Sequence, residues 1–390
     1  MMAALMATVA FSVDAMLPVL PVLVDTYSPD APNLVQLVVT VFVFGMGIGT
    51  LFTGPLSDAF GRKPIIIAGA VIYMVSAFVA AHANSLEVLL IARFCQGLGA
   101  AGPRVVALAT VRDLYSGSNM ARVMSFVMMI FTLIPALAPS LGAVLVHLGG
   151  WRAIFYAFIV FSATSSLWLW TRLPETLPRE NRRAFRVPEL RNALIELLSH
   201  PTVRTTLMVQ SLCFGALFGM ITSIQQIYDQ SFDRADSFPI FFGAIAVLAI
   251  SGSALNARLV GRLGMRRLST MMLTAQLGFS GIMVVLMLSG LSGMPLFLVF
   301  LVWQFTLFFQ NGLTIGNLNA IAMEPMGHIA GMAASILGAI STVLAVILAA
   351  PIGLSFDGTP LPLAIGIFVY MGGAVLLMRR LNRAGGLALA

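Results

Sequence analysis

Followed as apolar and polar positions, the chain is a succession of long apolar runs separated by short polar interruptions. Runs of this length read as transmembrane helices. A hydrocarbon core about 30 Å thick takes ~20 helical residues and offers backbone N–H and C=O groups no partner of its own. The pattern predicts spans at 4–24, 34–54, 64–83, 87–110, 122–146 and 152–171, then at 204–227, 238–257, 268–289, 295–319, 331–354 and 361–379. One long polar connection lies between the sixth and the seventh. The expected organisation is an all-α polytopic membrane protein, with an N-terminal six-helix bundle at 1–172, a linker at 173–203 and a C-terminal six-helix bundle at 204–390. Within the linker, Pro188 can open a short helix whose Leu190, Leu194 and Leu197 share a face, as in a helix lying in the membrane interface.

Composition supports this reading. Of 390 residues, 59% are hydrophobic and 9% charged, with a mean hydropathy of +0.97, whereas a soluble domain carries roughly 25% charged residues. The net charge of +7 is explained by topology rather than by a nucleic-acid partner. Eighteen of the 22 basic residues fall in the even-numbered connections and at the C-terminus, the arrangement of cytoplasmic loops. Both termini are therefore expected in the cytoplasm, with the linker arginines near anionic lipid headgroups. The first run has no basic leader and contains Asp14, so it reads as a retained helix. Cys95 and Cys213 lie in apolar runs without metal-ligand spacing and read as packing residues.

A weak internal repeat relates the two halves. Gly264, with Arg266 and Arg267, follows the eighth span much as Gly61, Arg62 and Lys63 follow the second, at an offset of 203. The position corresponding to Asp58 is Gly261, so the second copy keeps the cations and lacks the acid. The arrangement predicts twelve helices in two pseudo-symmetric six-helix bundles.

The stretch "GPLSDAFGRKP" carries Gly54, Asp58, Gly61, Arg62 and Lys63 between the second and third spans. It resembles the loop 2-3 signature of the major facilitator superfamily. The resemblance extends to Arg93, Gln96, Gly97 and Gly99 in the fourth span. It also takes in "RDLY" at 112–115, "SVDAMLPVLPVL" at 12–23, "WRAIFY" at 151–156, "PETL" at 174–177 and "HIAGMAASILGAIST" at 328–342, which are similar to drug/proton antiporters of the bicyclomycin-resistance type. It implies a conformational latch in which Asp58 addresses the start of the eleventh helix and Arg62 pairs with Asp113. The run "IPALAPSLGAVL" is similar to the antiporter motif of the fifth helix, with Pro135, Pro139 and Gly142 as a hinge. It departs from the fuller Gly-Pro-X-X-Gly-Gly pattern.

Three charges lie inside predicted spans: Asp14, Arg93 and Arg104. An acid at mid-membrane costs ~3 kcal/mol and so pairs, faces water or takes up a proton. Counting 1.5 Å per residue puts Asp14 ~15 Å, Arg104 ~10 Å and Arg93 ~25 Å from the cytoplasmic edge. Arg104 is then the expected partner of Asp14 or a substrate contact, with Asp14 as the protonation site and Arg93 as the motif arginine the resemblance links to coupling. By the same resemblance, helices one, four, seven and ten line a cavity. The candidates are Met16, Gln96, Gln210, Phe214, Met220, Gln225, Gln226, Gln310, Asn311, Asn317 and Asn319.

No HExxH, GxSxG or P-loop occurs, and the four histidines are dispersed, so neither an enzyme nor a metal site is expected. The leading expectation is a monomeric secondary exporter in a bacterial inner membrane. It exchanges a small, partly hydrophobic compound for protons, driven by the proton gradient without a cofactor. The alternatives are a carrier for a defined metabolite such as a siderophore, amino acid or organic anion, and a non-transporting scaffold or receptor.

Overall fold

The computed structural model describes the backbone of residues 1–387, with the side chains of those residues apart from 118, 121, 125, 132 and 384–387. The described residues form helices and connections, with no strand among them. In chain order the helices are α1 (Met2–Asp14), α2 (Leu20–Tyr27), α3 (Leu37–Phe60), α4 (Arg62–Ala81), α5 (Leu86–Leu114), α6 (Gly117–Gly149) and α7 (Arg152–Arg172). They continue as α8 (Val187–Ser199), α9 (Pro201–Gln226), α10 (Phe238–Leu263), α11 (Met265–Leu288), α12 (Gly293–Met323), α13 (Ala330–Leu354) and α14 (Leu361–Leu387).

Ten described stretches are long and apolar enough to cross a membrane. One of them, Gly293–Leu354, holds both α12 and α13. Outside the ten is α5, whose 29 residues include Arg93, Gln96 and Arg104. Together these give the twelve spans of the sequence pattern.

Two differences from that pattern have clear causes. The helices run one or two turns past the predicted limits on their arginine-rich side: α3 reaches Phe60, α5 reaches Leu114 and α10 reaches Leu263. Hydropathy marks where lipid ends, whereas a helix continues into water while its side chains allow it. The first span is not one helix. α1 stops at Asp14, a 3₁₀ turn occupies Leu17–Val19, and α2 resumes at Leu20. Pro18 has no N–H to give the Asp14 carbonyl, and Pro21 none for that of Leu17, so the i→i−4 ladder fails twice in succession. The prolines of α6 act otherwise, since α6 runs unbroken through Pro135 and Pro139.

The chain divides into two compact units. The first comprises Met1–Arg191 with Ala334–Val343, and the second comprises Asn192–Ala333 with the chain from Leu344 onward. In the first unit α3 and α4 pack on α5, α4 on α7, and α1 on α6. In the second, α10 and α11 pack on α12, and α11 on α14, repeating the contacts among α3, α4, α5 and α7, while α9 packs on α12 and α14. The closest approach in the first unit is at Gly45 and Gly97. A Cβ on Gly97 would collide with the backbone oxygen of Phe42, and one on Gly45 with that of Phe94. In hydrocarbon such small-residue contacts, rather than the hydrophobic effect, hold helices together.

The repeat is visible in backbone conformation. Gly61 (φ 105°) ends α3 and begins α4, and Gly264 (φ 77°) does the same between α10 and α11. Glycine adopts this left-handed region without a Cβ clash.

The linker helix α8 forms as predicted. Of its predicted apolar face Leu190 and Leu197 are buried and Leu194 is partly so, while Val187, Ile195 and Leu198 are exposed. Glu196 on its polar side lies 2.8 Å from Nε2 of His328.

Candidate functional site

Three groups of polar residues stand out against the apolar helices. The first surrounds Gly61. Because α3 ends at Phe60 and α4 starts at Arg62, the signature's charges lie on helix termini separated by one residue. Arg62 donates from Nη1 to Asp58 Oδ1 at 2.5 Å and to Ser57 Oγ at 2.7 Å, and from Nε to Asp113 Oδ2 at 3.0 Å. The structure thus brings Arg62 and Asp113 together and gives the Asp58 carboxylate to Arg62. Lys63 Nζ donates to the carbonyls of Trp170 (2.7 Å) and Leu173 (2.9 Å) at the end of α7. A Cβ on Gly54 would meet Ser335 Oγ, in the same unit, at 2.5 Å.

Sequence reasoning did not single out Glu175, which organises this cluster from the "PETL" stretch. Its Oε1 accepts from the backbone N–H groups of Arg62 (2.9 Å) and Leu177 (3.0 Å), and its Oε2 accepts from that of Lys63 (3.2 Å). The first turn of α4 has no residue of its own to cap these donors, because Gly61 brings no side chain. Burial alone would raise the Glu175 carboxyl. The three N–H groups and the nearby charge of Arg182 outweigh that and hold it below its ordinary value.

The second group is buried where α1, α3, α4 and α5 meet. Arg93 is fully buried and without a carboxylate partner. It donates from Nε to the Val38 carbonyl (3.1 Å), from Nη1 to Gln96 Oε1 (2.8 Å) and from Nη2 to the Ser12 carbonyl (2.9 Å), with the Phe42 ring 4.3 Å away. Ser12 Oγ lies 2.5 Å from the hydroxyl of Tyr73 on α4. Neither Ser12 nor Tyr73 was predicted, although Ser12 opens the quoted "SVDAMLP" stretch.

This contact corrects the depth estimate. Arg93 reaches Ser12, two residues or ~3 Å from Asp14, so Asp14 lies near the level of Arg93. Arg104 is eleven residues further along α5, ~16 Å away. Asp14 and Arg104 are not paired, and no ion pair among the described residues includes Asp14, which is 4% exposed. Counting from residues 4 and 110 as one common membrane edge does not capture how α1 and α5 are offset along each other. Gly142 on α6 meets the first span at the residue after Asp14, where an added Cβ would strike the Ala15 carbonyl oxygen. The first unit therefore joins the predicted proton site and predicted hinge glycine at the break between α1 and α2.

The third group is in the second unit. α9 and α12 bring Gln210 Nε2 within 3.0 Å of Asn319 Oδ1. Asn317 and Asn256 exchange amide hydrogen bonds, with Asn317 Nδ2 2.8 Å from Asn256 Oδ1. Gln310 Nε2 donates to Thr314 Oγ1 at 2.6 Å. The side-chain oxygens of Gln210, Gln225, Gln310 and Asn311 are buried without a partner. Gln226 and Met220 are buried and Phe214 is partly so. Of the first-unit candidates, Met16 is fully buried and Gln96 is engaged by Arg93.

Comparison with known proteins agrees with this architecture. The Major Facilitator Superfamily profile matches residues 2–351. The chain is 32% identical over 339 residues to a bicyclomycin resistance protein homolog of Haemophilus influenzae, covering 84% of this chain and 83% of that protein. It is 27% identical over 341 residues to multidrug resistance protein MdtL of Vibrio parahaemolyticus, covering 82% and 81%. A solved structure of a D-xylose–proton symporter shares the fold with a TM-score of 0.76, over 96% of this chain and 95% of that one, at 15% identity. With its family profile running through both units, the chain belongs to the Major Facilitator Superfamily and is a multi-pass membrane transporter, not an enzyme.

Proposed function

We propose that the protein is a secondary active exporter that exchanges a small, partly hydrophobic compound for protons by alternating access between its two halves. The carrying observation is the Asp14 carboxyl, buried at the break in the first span with no ion pair among the described residues to hold it charged. A carboxyl so placed binds a proton when the site is dry and releases it when water enters, which is what coupling to a proton gradient requires. The helix break supports the reading, because the segment beyond it can reorient without breaking an i→i−4 bond at Asp14. The drug-resistance names of the two relatives support a drug-like substrate. The arginine-rich face, carrying both termini, is assigned to the cytoplasm of a bacterial inner membrane. The working unit is a monomer that uses the proton gradient and lipid, with no further cofactor.

The test is accumulation of bicyclomycin and a panel of similar drugs in proteoliposomes under an imposed pH gradient. Asp14→Asn is expected to abolish gradient-driven accumulation while ligand binding persists. Undiminished accumulation in that variant rejects the coupling role.

A further inference from the structure

Arg93 and Arg104 are eleven residues apart on α5, about three turns, and so occupy one face of the helix. Both meet α3 along one line, Arg93 at Val38 and Phe42 and Arg104 at Met46, each step being four residues. Their coordination differs completely. The Arg93 guanidinium spends three of its five N–H groups on two carbonyls and an amide oxygen and lies against an aromatic face, as a structural clamp should. Among the described residues that of Arg104 has one hydrogen bond, from Nη1 to Met46 Sδ at 3.6 Å, and a thioether is a weak acceptor.

No ion pair among the described residues includes Arg104. Asp58 and Asp113 are held by Arg62, Glu175 is occupied by backbone N–H groups, and Asp14 lies a level away. Thr50, one turn beyond Met46 on α3, gives its hydroxyl hydrogen to the Met46 carbonyl. Arg104 lies six residues, ~10 Å, inside the hydropathy limit of its span at residue 110, where an unbound guanidinium costs up to ~3 kcal/mol. The residue is partly buried, and its remaining N–H donors have no hydrogen-bond acceptor among the described residues.

We infer that Arg104 receives an anionic group of the transported compound, so that the substrate class is amphipathic organic anions. This rests on the transport reading above and narrows it. Guanidinium N–H groups in fork geometry fit a carboxylate, sulfonate or phosphate, and the arginine keeps its charge throughout the cycle. It therefore serves binding and leaves proton exchange to Asp14.

The test uses two dyes sharing a xanthene ring system, anionic fluorescein and cationic tetramethylrhodamine methyl ester. Their binding to the full-length protein in lipid nanodiscs is read by fluorescence polarisation. Wild type is expected to bind fluorescein about tenfold or more tightly than the cation, the value of a charge-assisted hydrogen bond in a partly dry site. Arg104→Gln should lose that preference while unfolding at the wild-type temperature, and Arg104→Lys should keep most of it. Equal binding of the dyes, binding of neither, or equal behaviour of the Gln and Lys variants overturns the inference. Loss of fluorescein binding when phosphatidylglycerol is added assigns the site to a lipid headgroup and also overturns it. Gradient-driven accumulation of the cationic dye without anion preference would leave proton exchange standing and sink the anion assignment. Arg104-dependent fluorescein binding without gradient-driven accumulation would do the reverse.

Discussion

Removing the Glu175 carboxylate should loosen the start of α4 by an amount the structure sets. The side chain accepts from the N–H groups of Arg62 and Lys63, two of the four donors that a helix N-terminus leaves without an internal partner. A cap bond is worth ~1 kcal/mol, so Glu175→Ala costs about 2 kcal/mol locally, or ~30-fold in the opening equilibrium. Glu175→Gln keeps an acceptor without the charge and should cost about half as much, ~5-fold. The assay is hydrogen exchange followed by mass spectrometry on peptides covering 60–68, with peptides covering 263–271 as the internal reference. The second region begins α11 at Gly264 and has no side-chain cap to lose.

The pH dependence follows from the sign of the Glu175 shift. A carboxyl held below its ordinary value of 4.5 stabilises the fold above that value and loses its contribution as the pH falls through the folded-state value. Protection at 60–68 should therefore stay constant from neutral pH down to about pH 5 in wild type, after correction for intrinsic exchange. Unchanged exchange at 60–68 in Glu175→Ala, or equal acceleration in both peptide sets, would refute a capping role.

Two further outcomes follow from the same geometry. Asp58→Asn weakens a partly exposed pair worth ~1 kcal/mol or less, so turnover in proteoliposomes should slow a few-fold, and normal turnover would exclude a latch at this contact. Gly97→Ala forces α3 and α5 apart and should cost about 3 kcal/mol, seen as a lower unfolding temperature, whereas Gly278→Ala on α11 meets nothing within 4 Å and should be neutral or slightly stabilising. Equal stability of these two variants would remove the close-packing argument.

How much of this was legible in the sequence depended on the range of the interaction. Span number and helix type follow from hydropathy, a property of each segment alone, and the Arg62–Asp113 pair came from a motif with fixed spacing. The break after Asp14 was also written locally, in Pro18 and Pro21, but apolar composition continuing to residue 24 concealed it. What composition cannot supply is the relative depth of two helices. The Arg93–Ser12 and Ser12–Tyr73 contacts depend on how α1, α4 and α5 slide against one another, and a count of residues from an assumed membrane edge misjudged that by about two turns. Glu175 was hidden for a related reason, since its partners are more than a hundred residues earlier.

The two halves share a backbone device and differ in the charges around it. Gly61 and Gly264 make the same left-handed junction between consecutive helices. At the first junction the residue three positions earlier is Asp58, which binds Arg62, and Glu175 covers the new helix start. At the second it is Gly261, where an added Cβ would meet nothing within 4 Å, and no hydrogen bond from a described side chain caps α11. An ion pair and a borrowed cap make the first junction respond to where α5 and the 174–177 segment lie, because Asp113 and Glu175 come from those elements. The second junction has no such dependence. A movement that displaced Asp113 or Glu175 would therefore change the energy of the α3–α4 turn and leave the α10–α11 turn unaffected.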